Sequence, residues 1–181
     1  MRYLDQLLQR WRIYLAAKAI RPHDKVLDIG CFQGEFLIHV GRRIDLGIGI
    51  DPLLGIESVS GKIKLFRWSF QEPMPFPNHY FDVIVMLATI EHINDRETIA
   101  RECSRLLKSG GRMIITAPEP AVDIVIDLLV RLRLADGMSL EQHSGFKPDA
   151  LPGIFTPYGF QLTARRKFQL GMNNIFIFEK V

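Results

Sequence analysis

Val26-Leu27-Asp28-Ile29-Gly30-Cys31-Phe32-Gln33-Gly34, followed by Gly47-Ile48-Gly49-Ile50-Asp51, is the stretch that decides the fold of this chain. The first run reads as an apolar strand, a turn bearing two glycines and the start of a helix. The second reads as another strand that ends on a carboxylate. Glycine stands where a backbone must turn through φ > 0 or lie close against a ligand. A carboxylate at the end of the next strand suits the two hydroxyls of a ribose. Together they point to a nucleoside-bearing cofactor.

Outward from this stretch, strands and helices alternate. Leu4, Leu7, Leu8, Trp11 and Leu15 recur at helical spacing and predict a helix over 3–20, stopped at Arg21-Pro22. The pattern then predicts a strand at 26–29, a helix at 34–44 and a strand at 46–50. A short strand near 63–67, a proline-rich loop at 72–77 and an apolar strand at 81–87 follow. A helix is expected over 95–108, capped by Asn94 and stopped by Gly110-Gly111, before a strand at 112–117. Such alternation implies parallel pairing with right-handed crossovers, and short apolar strands imply a sheet covered on both faces. Residues 121–134 read as an unusually apolar helix, polar only at Asp123, Asp127 and Arg131. Runs around 160–166 and 175–178 are expected to pair antiparallel across a turn at 171–174. The expected fold is an open, Rossmann-like α/β three-layer sandwich closed by that hairpin.

The composition sets bounds on function. The chain has 181 residues, 48% hydrophobic and 24% charged, with a formal net charge of +3. These are the proportions of an ordinary globular domain, and the charge does not indicate a nucleic-acid partner. Cys31 and Cys103 lie far apart, with no metal-ligand spacing around them, so no metal is expected and a reducing, cytoplasmic compartment fits best. No apolar run reaches the roughly 18 residues of a membrane span.

In an open α/β sheet the ligand lies beyond the carboxyl ends of the strands, where the strand order switches. That rule gathers the ends of the runs at 26–29, 46–50, 63–67 and 81–87 around one crevice. Asp28 stands where it would accept hydrogen bonds from an ammonium group, and Gly30 and Gly34 let the backbone approach a ligand. Asp51 stands at the ribose position, and Ser69 and Phe70 stand where they would flank a purine. A nicotinamide-type turn would read G-x-G-x-x-G. Here Cys31, Phe32 and Gln33 separate the two glycines, and Asp28 would repel a pyrophosphate, so a nicotinamide-dependent oxidoreductase is the weaker alternative.

Four segments, VLDIGCFQGEF (26–36), GIGID (47–51), FDVIVMLATIEHI (81–93) and LLKSGGRMIITAP (106–118), resemble the motifs of class I S-adenosylmethionine-dependent methyltransferases. The likeness is to the small type-11 group, which includes quinone-biosynthesis methyltransferases. The resemblance implies a seven-stranded, mostly parallel sheet and one methyltransferase domain over 1–181. Within it, 1–21 would be an N-terminal helix, 22–118 the cofactor-binding half and 119–181 the acceptor side with the closing hairpin. It implies that Asp28, Gly30, Cys31, Phe32 and Gly34 surround the methionine part of the cofactor and that Asp51, followed by Pro52, holds the ribose. Ser69 and Phe70 would lie at the adenine, and Met86 and Leu87 along the inner face. The chain departs from the family at Phe32, where glycine is usual, and at Ser69, where an acidic residue is common.

The sulfonium of S-adenosylmethionine already activates its methyl group, so such a protein mainly aligns an acceptor and excludes water, leaving S-adenosylhomocysteine. An oxygen acceptor must also lose a proton, for which His92 and His143 are the candidates. The segment 136–150 faces the acceptor in this family, which places His143 there. Met86-Leu87-Ala88-Thr89 lacks the Asn/Asp-Pro-Pro-aromatic motif of base-methylating relatives. The expected acceptor is therefore a small molecule or a lipid- or glycan-linked group, with O-methylation slightly favoured. Helix 121–134 could roof that pocket or form a homodimer contact. A non-catalytic S-adenosylmethionine-binding protein is the other alternative.

Overall fold

The structure, a computed structural model, describes residues 3–119 and 146–181. The expected helix at 121–134 and His143 lie outside the described residues. The strands are β1 (Lys25–Ile29), β2 (Leu46–Ile50), β3 (Ser58–Ser60), β4 (Ile63–Phe66), β5 (Phe81–Leu87), β6 (Leu107–Pro118), β7 (Phe160–Phe168) and β8 (Asn173–Lys180). The helices are α1 (Tyr3–Ala17), α2 (Glu35–Val40), α3 (Arg96–Leu106) and α4 (Leu151–Phe155). All eight strands form one sheet in the order β3-β4-β2-β1-β5-β6-β8-β7. β4, β2, β1, β5 and β6 run parallel, while β3 and the β7–β8 hairpin pair antiparallel.

Alternation along the strands divides the core between the two faces, which gives the three layers. Leu27, Ile29, Ile84, Met86, Met113 and Ile115 bury one face against Ile99, Ala100 and Cys103 of α3 and Leu151 and Phe155 of α4. Val26, Val83, Val85 and Ile114 bury the other against Ile13, Ala16 and Ala17 of α1 and Phe36, Leu37 and Val40 of α2. The order reverses between β1 and β5, so the crevice for a ligand opens there.

Several sequence expectations are corrected. The sheet has eight strands in place of seven, because Ser58-Val59-Ser60 adds a short edge strand with every residue exposed. Gly110-Gly111 does not stop α3, which ends at Leu106 and leads directly into β6. The two glycines lie in a bulge, since Phe81 pairs with Leu107 but Val83 with Arg112. The cap of α3 is Asp95, not Asn94: its carboxylate accepts the Thr98 N–H at 3.0 Å and the Thr98 hydroxyl at 2.7 Å. The hairpin turns at residues 169–172, leaving Asn173 and Asn174 in β8. α2 stops at Val40 instead of 44.

The C-terminal end of α1 is closed by two guanidinium groups from elsewhere in the chain. Arg43 donates to the carbonyls of Ala17 (3.1 Å) and Ile20, and Arg112 donates to that of Ala19. Arg112 also binds both oxygens of buried Asp24, at 2.7 and 2.8 Å. At the other end, Gln169 of the hairpin turn donates to the Leu8 carbonyl at 2.8 Å, and Trp11 meets Phe168 edge-on at 6.4 Å.

Candidate functional site

The exits of β1 and β2 are tied together by backbone bonds. The N–H groups of Gly30 and Cys31 both donate to the Ile50 carbonyl, at 2.8 and 3.2 Å. The turn then runs through Gly30 (φ +76°), Phe32 (φ +50°) and Gly34 (φ +81°). A β-carbon on Gly30 would stand 2.3 Å from the Thr89 hydroxyl oxygen, and one on Gly34 would stand 2.7 Å from Leu65. Only glycine fits at either place. Phe32 takes the left-handed conformation with a side chain and leaves its ring partly exposed, at 36%.

Asp51 is fixed by both of its oxygens. Oδ2 accepts the Phe32 N–H at 2.8 Å and Oδ1 accepts the Leu53 N–H at 2.7 Å. A carboxylate has about four acceptor positions, so each oxygen retains one for a ligand hydroxyl. Pro52, next to it, is exposed.

Asp28 is buried, and its Oδ1 has no hydrogen-bond partner. Burial pushes its carboxyl up to about 8, with the negative charges of Glu35 and Asp51 adding to the effect. A buried carboxylate held among other carboxylates and lacking a donor is the complement of a cationic group. The cysteine beside it is inert by the same physics. Burial and the neighbouring carboxylates push the Cys31 thiol up, and its sulfur packs against Gly49.

On the far side of the crevice, Leu87 is half-buried at the end of β5 and packs on the α1–α2 face. Met86 is corrected: it is fully enclosed in the opposite core, so its side chain does not line the crevice. The alternation of 83, 85 and 87 against 84 and 86 would have separated the two. Ser69 is exposed and Phe70 half-buried just past β4. His92 is exposed on the turn Ile90–His92, and its N–H donates to the Thr89 carbonyl at 3.0 Å.

Two charged residues at this end are not among the site residues expected from the sequence. Glu91 is buried beside His92, with an unpartnered Oε2 and a carboxyl that burial pushes up to about 7. Arg12 of α1 has a buried, unpartnered Nε, and its cation is felt by Glu91. Arg96 donates to the carbonyls of Ile90 and Glu91, each at 3.2 Å, and its guanidinium lies 4.7 Å from the Phe146 ring centre.

The reversal at β1/β5, the glycine turn and the carboxylates at two successive strand ends define a class I S-adenosylmethionine-dependent methyltransferase fold. The chain belongs to the methyltransferase-domain family, whose profile matches residues 1–165. Ajmaline N-methyltransferase of Rauvolfia serpentina is 32% identical over 101 residues, covering 50% of this chain and 34% of that protein. The ubiquinone/menaquinone biosynthesis C-methyltransferase UbiE of Azotobacter vinelandii is 29% identical over 126 residues, covering 62% and 48%. The crystal structure of the YcgJ protein from Bacillus subtilis superposes with a TM-score of 0.66 at 18% identity, covering 93% of this chain and 97% of that one, a likeness of fold. The chain spans about half or less of the length of these curated relatives. S-adenosylmethionine is the cofactor of the family, and the buried, unpartnered Asp28 carboxyl fits its cationic amino group.

Proposed function

We propose that the protein transfers a methyl group from S-adenosylmethionine to a small-molecule or lipid- or glycan-linked acceptor, with oxygen favoured as the accepting atom. The observation that carries this reading is the buried, unpartnered Asp28 oxygen at the β1/β5 reversal, one turn from the doubly anchored Asp51. Asp28 would face the cofactor's ammonium group across Gly30, Cys31, Phe32 and Gly34. Asp51 and Pro52 would hold the ribose, Ser69 and Phe70 the adenine, and Leu87 the inner wall. Bound there, the cofactor supplies an activated methyl group. The chain's own part is to fix that group in line with an acceptor and keep water out.

His92 is our candidate for taking the proton of a hydroxyl acceptor, since it stands exposed at the exit of β5. His143 is the second candidate, on the sequence reading alone. No described helix is long and apolar enough to cross a membrane. We read residues 1–181 as one domain. The two buried free cysteines support a reducing, cytoplasmic setting.

Incubation with methyl-labelled S-adenosylmethionine and a metabolite extract tests the proposal and names the acceptor. Label is expected in one compound, as a methyl ether or ester. Tight binding of S-adenosylhomocysteine with no transfer into any fraction would instead mark a non-catalytic cofactor-binding protein. Label on carbon or nitrogen would overturn the preference for oxygen.

A further inference from the structure

α1 buries Ile13, Ala16 and Ala17 against the sheet and turns a different set of residues outward. From residue 5 on, its exposed residues are Gln6, Leu7, Arg10, Trp11 and Tyr14, and exposed Lys18 follows just past its end. Leu7, Trp11, Tyr14 and Lys18 follow one another at helical spacing, so they stack in one stripe with Arg10 beside it. The three large side chains are 51%, 44% and 56% exposed, and the Lys18 ammonium lies 4.6 Å from the Tyr14 ring centre. None of these exposed residues is acidic.

The β7–β8 turn extends the stripe. Gln169 donates to the Leu8 carbonyl and Phe168 meets Trp11, so the turn sits against the N-terminal half of α1. The next residue, Leu170, is 94% exposed and holds a φ of +58°. Asparagine or glycine takes that conformation at less cost, so a bare leucine there serves neither the turn nor the core. Exposed Arg166 adds a cation on the same side, since it pairs with Ile175, which packs in the core under α1. The turn also stands at the ligand end of the sheet, because Asn173 pairs with Pro118 at the carboxyl end of β6.

We propose that Leu7, Trp11, Tyr14 and Leu170, with Arg10 and Lys18 among them, dock the protein on an anionic phospholipid surface. The charge is complementary, because every exposed charge on the stripe is a cation and the headgroups are anions. Tryptophan and tyrosine settle at the headgroup level with their apolar bodies inward, and the long basic side chains reach past them to the phosphates. A second copy is the poorer occupant, since it would set the same cations against each other. The inference rests on the methyl-transfer reading above for what it delivers, and there it selects the lipid-linked acceptor. Leu170 lies at the ligand end of the sheet, so docking holds that end near the lipid.

Co-sedimentation with vesicles tests it. The chain should bind vesicles of equal parts phosphatidylglycerol and phosphatidylcholine, and bind vesicles of phosphatidylcholine alone far more weakly. Arg10→Gln combined with Lys18→Gln should weaken that binding about tenfold or more. Leu170→Asn should weaken it about fivefold while melting no lower than wild type, because asparagine suits the turn. Lys147→Gln removes an exposed cation from the layer on the other face of the sheet and should leave binding within about twofold. Equal binding to both vesicles, binding to neither, or equal weakening by the Lys147 variant would overturn the proposal. Dimerisation that Leu170→Asn abolishes, without vesicle binding, would overturn it too and give the patch to a second copy. Binding is read without cofactor or turnover. A protein that binds anionic vesicles yet moves label into no compound would therefore support the surface and overturn only the methyl-transfer reading.

Discussion

The backbone N–H of Phe32 donates to Oδ2 of Asp51 at 2.8 Å, so the glycine turn after β1 is fastened to the carboxylate at the end of β2. The residue that departs from the family's usual glycine is thus held by its main chain. Its ring points to the surface, partly exposed, while its φ of +50° carries the strain. A left-handed non-glycine residue costs on the order of 1–2 kcal/mol.

Phe32→Gly should therefore leave the fold intact and change thermal stability by less than about 1 kcal/mol, because relief of strain offsets the greater freedom of the unfolded chain. Affinity for S-adenosylhomocysteine should move by less than about threefold, since the bond to Asp51 remains. A loss of a hundredfold would show that the ring covers the ligand.

Asp51→Ala removes the acceptor of two backbone N–H groups as well as the ribose partner. It should lower stability by about 1–3 kcal/mol and weaken S-adenosylhomocysteine at least tenfold. Asp51→Asn, which keeps one oxygen, should fall between. Chemical-denaturation curves and titrations on the same samples would separate the two effects. An Ala variant with wild-type stability would mean that the turn is held some other way.

Asp28 gives a pH signature with a defined sign. Its carboxyl stands at about 8 in the folded, ligand-free protein, against about 4 in an unfolded chain. Across that window the folded state keeps a proton that the unfolded chain has lost, so stability falls as pH rises. Asp28→Asn should melt close to wild type only below about pH 4 and higher than wild type above that, by a margin that widens as pH rises toward about 8. A cationic ligand favours the ionised form, so binding near neutral pH should release a proton. Titration heats measured in phosphate and in Tris should differ accordingly, and identical heats would contradict the assignment.

Gly30→Ala combines a positive φ with a β-carbon 2.3 Å from the Thr89 hydroxyl oxygen. The variant should lose about 2–4 kcal/mol. Adding Thr89→Gly removes the clash but not the strain, so the double variant should recover part of the loss relative to Thr89→Gly alone. Full additivity in a denaturation cycle would mean that the two turns do not touch.

Much of this was legible in the sequence, for reasons that differ by residue. β2 and β5 begin and end where their apolar runs do, and Asp51 and the glycines of the β1 turn lie within one local pattern. β3 left no signal, because Ser58-Val59-Ser60 is short, exposed and held only by its pairing with β4. Gly110-Gly111 misled because a bulge and a helix stop use the same residue. Arg12 and Glu91 were invisible for a deeper reason. Nothing local in either segment announces a partner, and only the docking of α1 across the end of the sheet brings them into one field.

The closure of α1 by Arg112 has a consequence for the order of events in folding. The Ala19 carbonyl and its donor are separated by 93 positions, and Arg112 sits inside β6. During synthesis α1 leaves the ribosome long before Arg112, which takes the carbonyl just past its end, exists, and a helix of this length is marginal alone in water. The first helix in the chain is therefore expected to become permanent among the last. Pulsed hydrogen exchange during refolding should show its amides protected only after those of β5 and β6. A chain arrested before Arg112 would hold α1 and the glycine turn after β1 without the donor that takes the Ala19 carbonyl.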